Sequence, residues 1–198
     1  MSTDRTPTRA RILDAALDLF GRRGFEAVSL DEIAAVVGVT KQTVLYWFPS
    51  KDELLAAVVD WSANELAVSV GAAVQQAGSG FEVVEAVVRA VFRPAIRRPA
   101  LLGLVRELNR LGPAQTDRLL AGVAPLVERA KAFLAAEMDA GRMRRADPAL
   151  VLALAYATVV GVATEPEVLR AVGWQPSPAS LRRLRAELLA YLRAALTA

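Results

Sequence analysis

The chain has 198 residues, 54% hydrophobic and 23% charged, with 24 Lys and Arg against 21 Asp and Glu. That apolar fraction suffices for a buried core and excludes a disordered chain, which pairs low hydrophobicity with high net charge. Cysteine and histidine are both absent, which removes disulfides, thiolate nucleophiles, Ser-His-Asp triads and His- or Cys-based metal sites together.

The net charge is only +3, and Lys41, Lys51 and Lys131 are the sole lysines among the basic residues. A preference for nucleic acid therefore has to come from local placement rather than a global field. Met1-Ser2-Thr3-Asp4-Arg5 has no apolar segment after it of the kind a signal peptide carries. The longest uncharged run, Pro148 to Thr164, lies between Asp147 and Glu165 and falls short of the roughly 20 apolar residues of a membrane span. It reads as a helix buried in protein, and a cytoplasmic protein with no membrane partner is expected.

The elements read as helix after helix, with no strand-like alternation. Ile12, Ala16, Leu19 and Phe20 make one stripe of a first helix, which Gly24 ends. Ser29-Leu30-Asp31-Glu32 is a capping box, in which Ser29 takes a first-turn amide while Glu32 reaches back. Its helix runs to Val37 and stops at Gly38. Thr40 caps a short third helix through about Trp47. Pro49 blocks continuation, and Ser50-Lys51-Asp52-Glu53 is a second capping box opening a long fourth helix. After Gly78-Ser79-Gly80, helices are predicted over 81–93, 99–111, 114–140, 148–163 and 178–197. Asp147-Pro148 and Ser177-Pro178 each set a capping residue before a proline at the first helical position. The expected architecture is all-α, with a head over 1–52 and a body over 53–198.

The chemistry concentrates in the head. Two short capped helices joined by Gly38-Val39 make a helix-turn-helix over 29–48: Gly38 allows the sharp turn, and Ile33, Ala34, Val37, Val39 and Val44 or Leu45 bury the contact. The outer positions are Lys41, Gln42, Thr43, Tyr46 and Trp47. Gln suits an adenine edge, Lys guanine or a phosphate, and the Thr and Tyr hydroxyls phosphates. Thr40 brings the unpaired amides of the helix start. Ser29 and Lys51 complete the candidate DNA surface; a cation in the first turn of a helix opposes the dipole, which a bound phosphate would resolve. A helical hairpin with a solvated outer face is the alternative.

Residues 8–54 resemble the DNA-binding domain of the tetracycline-repressor (TetR) family of transcription regulators. The resemblance rests on Ile12, Ala15, Ala16, Phe20, Gly24, Phe25, Leu30, Ile33, Ala34, Gly38, Val39, Thr40, Thr43, Phe48, Ser50, Lys51 and Leu54, without gaps. Two positions depart from it. Leu45 stands where the family usually has Tyr, so the Tyr–phosphate role passes to Tyr46. Trp47 stands where a His is usual, and either stacks on sugar-phosphate or packs under the fourth helix. Arg5, Arg9 and Arg11 form either an N-terminal arm or a solvated tail.

One helix in one groove reads few base pairs, so a homodimer on a palindromic operator is expected. Its surface is expected from the small-residue stripe Ala149, Ala153, Ala157 and Gly161, and from Leu181, Leu184, Leu188 and Leu192 of the last helix. Leu150, Leu154 and Tyr156 are expected to face the body core. The alternative is that both helices are ordinary monomer core. The resemblance further implies a body that binds a small molecule. Trp61, Phe92, Leu104, Phe133, Tyr156 and Trp174 are candidates for that pocket, or else fill the core. The expectation is a repressor released by a small hydrophobic effector, with no catalytic residue, metal or cofactor. The alternatives are a DNA-binding protein without an effector, constitutive or partner-controlled, an activator, or more remotely an all-α enzyme.

Overall fold

The computed structural model describes residues 8–175 and 177–197, and among them there are helices and no strands. In chain order the helices are α1 (Thr8–Arg23), α2 (Leu30–Val37), α3 (Lys41–Trp47), α4 (Lys51–Gln76), α5 (Phe81–Arg97), α6 (Ala100–Leu111), α7 (Pro113–Asp139), α8 (Pro148–Thr164), α9 (Pro166–Ala171) and α10 (Pro178–Leu196). Two differences from the sequence reading stand out. Helix α5 runs on through Pro94 rather than stopping at 93. The short α9 was not anticipated, although Pro166 occupies its first turn as a helix-starting proline should.

The described residues form two compact units. The first takes those up to Ser62 together with Ala100–Leu119; the second takes Ala63–Pro99 and Leu120 onward. Helix α6 thus packs with the head, where the sequence reading ended the head after Asp52.

The core of the first unit is built on α1, where Ile12, Ala16 and Phe20 of the predicted stripe are buried, Leu19 is only partly buried, and Leu13 and Leu17 join the core. Ile12, Leu13, Ala16, Leu17 and Phe20 bury against Ile33, Ala34 and Val37 of α2, Val44 of α3, Leu54, Leu55, Val58 and Val59 of α4, and Ala100, Leu104 and Leu108 of α6. Helices α1 and α6 cross at two glycines. A Cβ on Gly103 would stand 1.8 Å from the carbonyl oxygen of Gly21, and one on Gly21 would stand 2.0 Å from that of Ala100. Only residues without a side chain let the two backbones approach so closely.

The second unit centres on α5 packed against α10, with Val88, Phe92, Leu134, Met138, Met143, Leu188, Leu192 and Leu196 as its core. Arg144, in the α7–α8 loop, ties itself to the end of α10: its amide donates to the Leu196 carbonyl at 2.8 Å and its Nε to that of Ala195 at 2.9 Å. Among the described residues one helix, α4, is long and apolar enough to cross a membrane by length and composition. Its Leu54, Leu55, Val58 and Val59 are nonetheless core residues of the first unit.

Candidate nucleic-acid interface

The turn between α2 and α3 is set by local chemistry. Ser29 Oγ accepts the Glu32 amide at 3.2 Å, and the Glu32 carboxylate accepts the Ser29 amide at 2.8 Å, closing the expected capping box. The Ser29 amide first, and then the Arg23 guanidinium 2.8 Å away, hold the Glu32 carboxyl down to about 2. At the other end of α2, Gly38 adopts φ +74°, and the amides of Gly38 and Val39 donate to Ala35 and Ala34. Nothing lies within 4 Å of where a Gly38 Cβ would be. Backbone conformation, not space, requires glycine there.

Helix α3 starts at Thr40, whose Oγ1 accepts the Thr43 amide at 3.2 Å and lies 3.0 Å from the Thr43 hydroxyl. Seven residues long, it anchors itself by burying Val44, with Thr43 and Leu45 half-buried. Lys41, Gln42, Tyr46 and Trp47 are left exposed. Tyr46 is 80% exposed and Trp47 42%, their rings edge to face with centroids 5.4 Å apart. Trp47 does not disappear beneath α4, as one of its two sequence readings had it; it stands beside Tyr46 on the open face.

Three basic residues are placed differently from expectation. Lys51 turns inward, donating to the carbonyls of Phe25 at 3.1 Å and Val28 at 3.2 Å, with its ammonium 4.3 Å from the Phe25 ring centroid. These carbonyls, rather than a phosphate, answer the unfavourable position of a cation at the start of α4. Arg9 and Arg11 belong to α1 and not to an arm: the Arg9 guanidinium lies 5.3 Å from the Phe48 ring centroid, and Arg11 donates to the Val37 carbonyl at the end of α2. Arg5 lies outside the described residues.

The sequence reading missed Glu107. This buried α6 carboxylate accepts the Phe25 amide at 2.6 Å and the Arg110 guanidinium at 2.7 and 3.0 Å. The Arg110 hydrogen bond first, and the Phe25 amide after it, hold its carboxyl below the ordinary glutamate range against the opposing effect of burial. The loop that leads into the helix-turn-helix is therefore gripped twice, at the Phe25 amide from α6 and at its carbonyl from α4. A signal was present: an acid between Leu104 and Leu108 interrupts the apolar stripe of α6.

The pocket candidates fall in both units. Leu104 is core of the first unit and Trp61 packs against that core; Phe92 is core of the second and Phe133 packs beside it. Tyr156 is exposed and Trp174 half-buried.

The expected dimer surface divides. On α8, Ala149, Ala153 and Ala157 are exposed and Gly161 is half-exposed. On α10, Leu181, Leu188 and Leu192 are buried and Leu184 packs against the same core, so that stripe is monomer core and not a free surface. Leu150, Leu154 and Tyr156 point to solvent rather than into the body, and Val151 and Leu152 make the buried side of α8 instead.

The head is thus a capped helix-turn-helix with a second helix open along its outer edge, the architecture of DNA-binding regulators. A model of the family described as "Bacterial regulatory proteins, tetR family" matches residues 12–58. The chain belongs to the TetR family and is a DNA-binding transcriptional regulator. It is 26% identical over 148 residues to the HTH-type transcriptional regulator RutR of Escherichia coli (strain K12), covering 74% of this chain and 69% of that one. In fold it is similar to a transcriptional regulator from Saccharomonospora viridis solved in complex with choline (TM-score 0.79, 18% identity, 96% of this chain and 97% of that one). It is similar also to AibR in complex with isovaleryl coenzyme A and operator DNA (TM-score 0.72, 18% identity, 93% and 97%).

Proposed function

We propose that the protein is a homodimeric repressor that binds a palindromic operator through α3 and is released by a small hydrophobic or amphipathic effector. The observation that carries the reading is the outer edge of α3. Lys41, Gln42, Tyr46 and Trp47 are exposed together on a helix held at both ends by caps. In this reading Gln42 and Lys41 meet base edges or phosphate, and Thr40, Thr43 and Tyr46 meet phosphates. Trp47 lies against sugar-phosphate beside Tyr46. Ser29, whose hydroxyl is engaged with Glu32, and Lys51, whose ammonium is engaged with carbonyls, support the turn from behind.

The division of labour is a DNA-binding head over 1–52 and a dimerising, effector-binding body over 53–198. Support for the dimer comes from α8, where Ala149, Leu150, Ala153, Leu154, Tyr156 and Ala157 make an uncharged, exposed arc. Two heads on one two-fold axis double the base pairs read. Support for an effector comes from the choline and isovaleryl-coenzyme A complexes of proteins that share the fold. An effector that binds one head spacing better shifts the population away from the DNA-competent state, and a coupling of about 1–3 kcal/mol relieves repression roughly 5–150-fold. The burial of Leu104 and Phe92 as core and the exposure of Tyr156 favour a second reading, a regulator of this family without a small-molecule effector. A cytoplasmic location follows from work on operator DNA.

Gel-shift binding to the DNA upstream of the protein's own gene tests the reading. Retention of a palindromic segment is expected, with Gln42→Ala weakening it by about 1–3 kcal/mol if the side chain reads a base edge. If no such segment is retained, or Gln42→Ala binds like wild type, the proposed interface is wrong. Loss of the shift on adding apolar metabolites separates the effector reading from the second one.

A further inference from the structure

The charge that α3 offers to DNA is already matched inside the head. Lys41 Nζ lies 2.8 Å from Oδ2 of Asp31, in the first turn of α2, with the two side chains 45% and 64% exposed. The adjacent acid is engaged elsewhere: Glu32 accepts from the Ser29 amide and hydroxyl and pairs with Arg23. The two carboxylates that open α2 therefore have separate cations, and Asp31 holds the one on the candidate DNA surface.

We propose that Asp31 competes with DNA for Lys41 and thereby sets the strength of operator binding. The inference rests on the reading of Lys41 as a DNA contact. When Lys41 turns to a phosphate or a base edge it exchanges one anionic or polar partner for another, so its net contribution is reduced by the worth of the Asp31 pair. For an exposed pair that worth amounts to about a twofold to fivefold change in an equilibrium constant. Asp31 is then left without its cation beside a duplex that carries a negative charge about every 1.7 Å of axis. The carboxylate acts as a built-in stand-in for phosphate and keeps the head from binding any DNA as tightly as its cations would permit. General charge repulsion also predicts tighter binding once Asp31 is neutralised. The two explanations part over Lys41: competition needs that lysine, repulsion does not.

The test is a set of Kd measurements on the retained operator segment at one fixed salt concentration. The proteins are wild type, Asp31→Asn, Lys41→Gln, the double variant and Asp31→Glu, with folding followed by circular dichroism and thermal unfolding. Asp31→Ser repeats the neutralisation should Asn loosen α2. The expected result is about twofold to fivefold tighter binding by Asp31→Asn, weaker binding by Lys41→Gln, no gain from Asp31→Asn when Lys41 is already Gln, and wild-type affinity for Asp31→Glu. The inference is overturned if neutralising Asp31 leaves Kd unchanged, or tightens it equally without Lys41. If Lys41→Gln alone binds like wild type, the DNA-contact reading of Lys41 fails, and the competition with it.

Discussion

Lys51 and Glu107 show how a charged residue can be spent on holding a loop instead of a ligand. Both reach Phe25, Lys51 at its carbonyl and Glu107 at its amide. The Phe25 ring has the Lys51 ammonium 4.3 Å from its centroid and the Phe20 ring 5.4 Å away between centroids. Buried backbone groups demand partners, and here side chains supply them because the turn after Gly24 breaks the helical ladder. Replacing Glu107 with Ala leaves the Phe25 amide buried without an acceptor, at a cost of about 1–3 kcal/mol. Urea denaturation of Glu107→Ala should show that loss as a lower midpoint with an unchanged slope. Glu107→Gln, which keeps an acceptor oxygen, should lose less. Equal stability of wild type and Glu107→Ala would mean that the brace carries no load.

At the scale of elements, the caps and the crossing glycines differ in how far their causes reach. Gly38 is set by its own φ of +74°, a local requirement. Gly21 and Gly103 have no such requirement; each is needed because the other helix's backbone is within 3 Å of where a Cβ would go. Such a clash cannot be relieved by turning a side chain, so α1 and α6 must part. Gly103→Ala is therefore expected to destabilise the first unit by about 1–3 kcal/mol, the range for overpacking a close-packed contact. Ala in place of Gly in a helix would otherwise stabilise it by up to about 1 kcal/mol. Thermal unfolding decides between the two: a raised midpoint for Gly103→Ala means that the helices are not pressed together there.

For the whole molecule the question is which apolar face is left over after the core has formed. Leu188 of α10 is 7% exposed and Leu154 of α8 is 56% exposed, although both sit in leucine-containing stripes with helical spacing. The exposed one is the face assigned to the second copy in the proposed dimer, because a contiguous uncharged apolar face on a lone chain marks an interaction site. Leu154→Glu sets a charge into that face and should turn a dimer into a monomer with its helical content kept, read by sedimentation and circular dichroism together. Leu188→Glu buries the same charge in the core and should unfold the second unit. A Leu154→Glu protein that still sediments as a dimer would place the interface elsewhere.

What could be read from the chain alone was whatever depends on a few neighbouring residues. The capping box at Ser29, the cap at Thr40, the stop at Gly38, the α1 stripe and the open positions of α3 all follow from spacings of one to eight residues, and the family resemblance lies in that same stretch. What needed the fold was whatever depends on distant partners. Lys51 reads as a phosphate contact until the carbonyls of Phe25 and Val28 are found beside it. Glu107 meets Phe25 across a separation of 82 residues. The leucines of α10 and α8 share one periodicity and part only when α5 covers the first set. Periodicity tells which residues share a face; it carries no information on which face another helix will bury, because that is fixed by contacts between segments far apart in the chain.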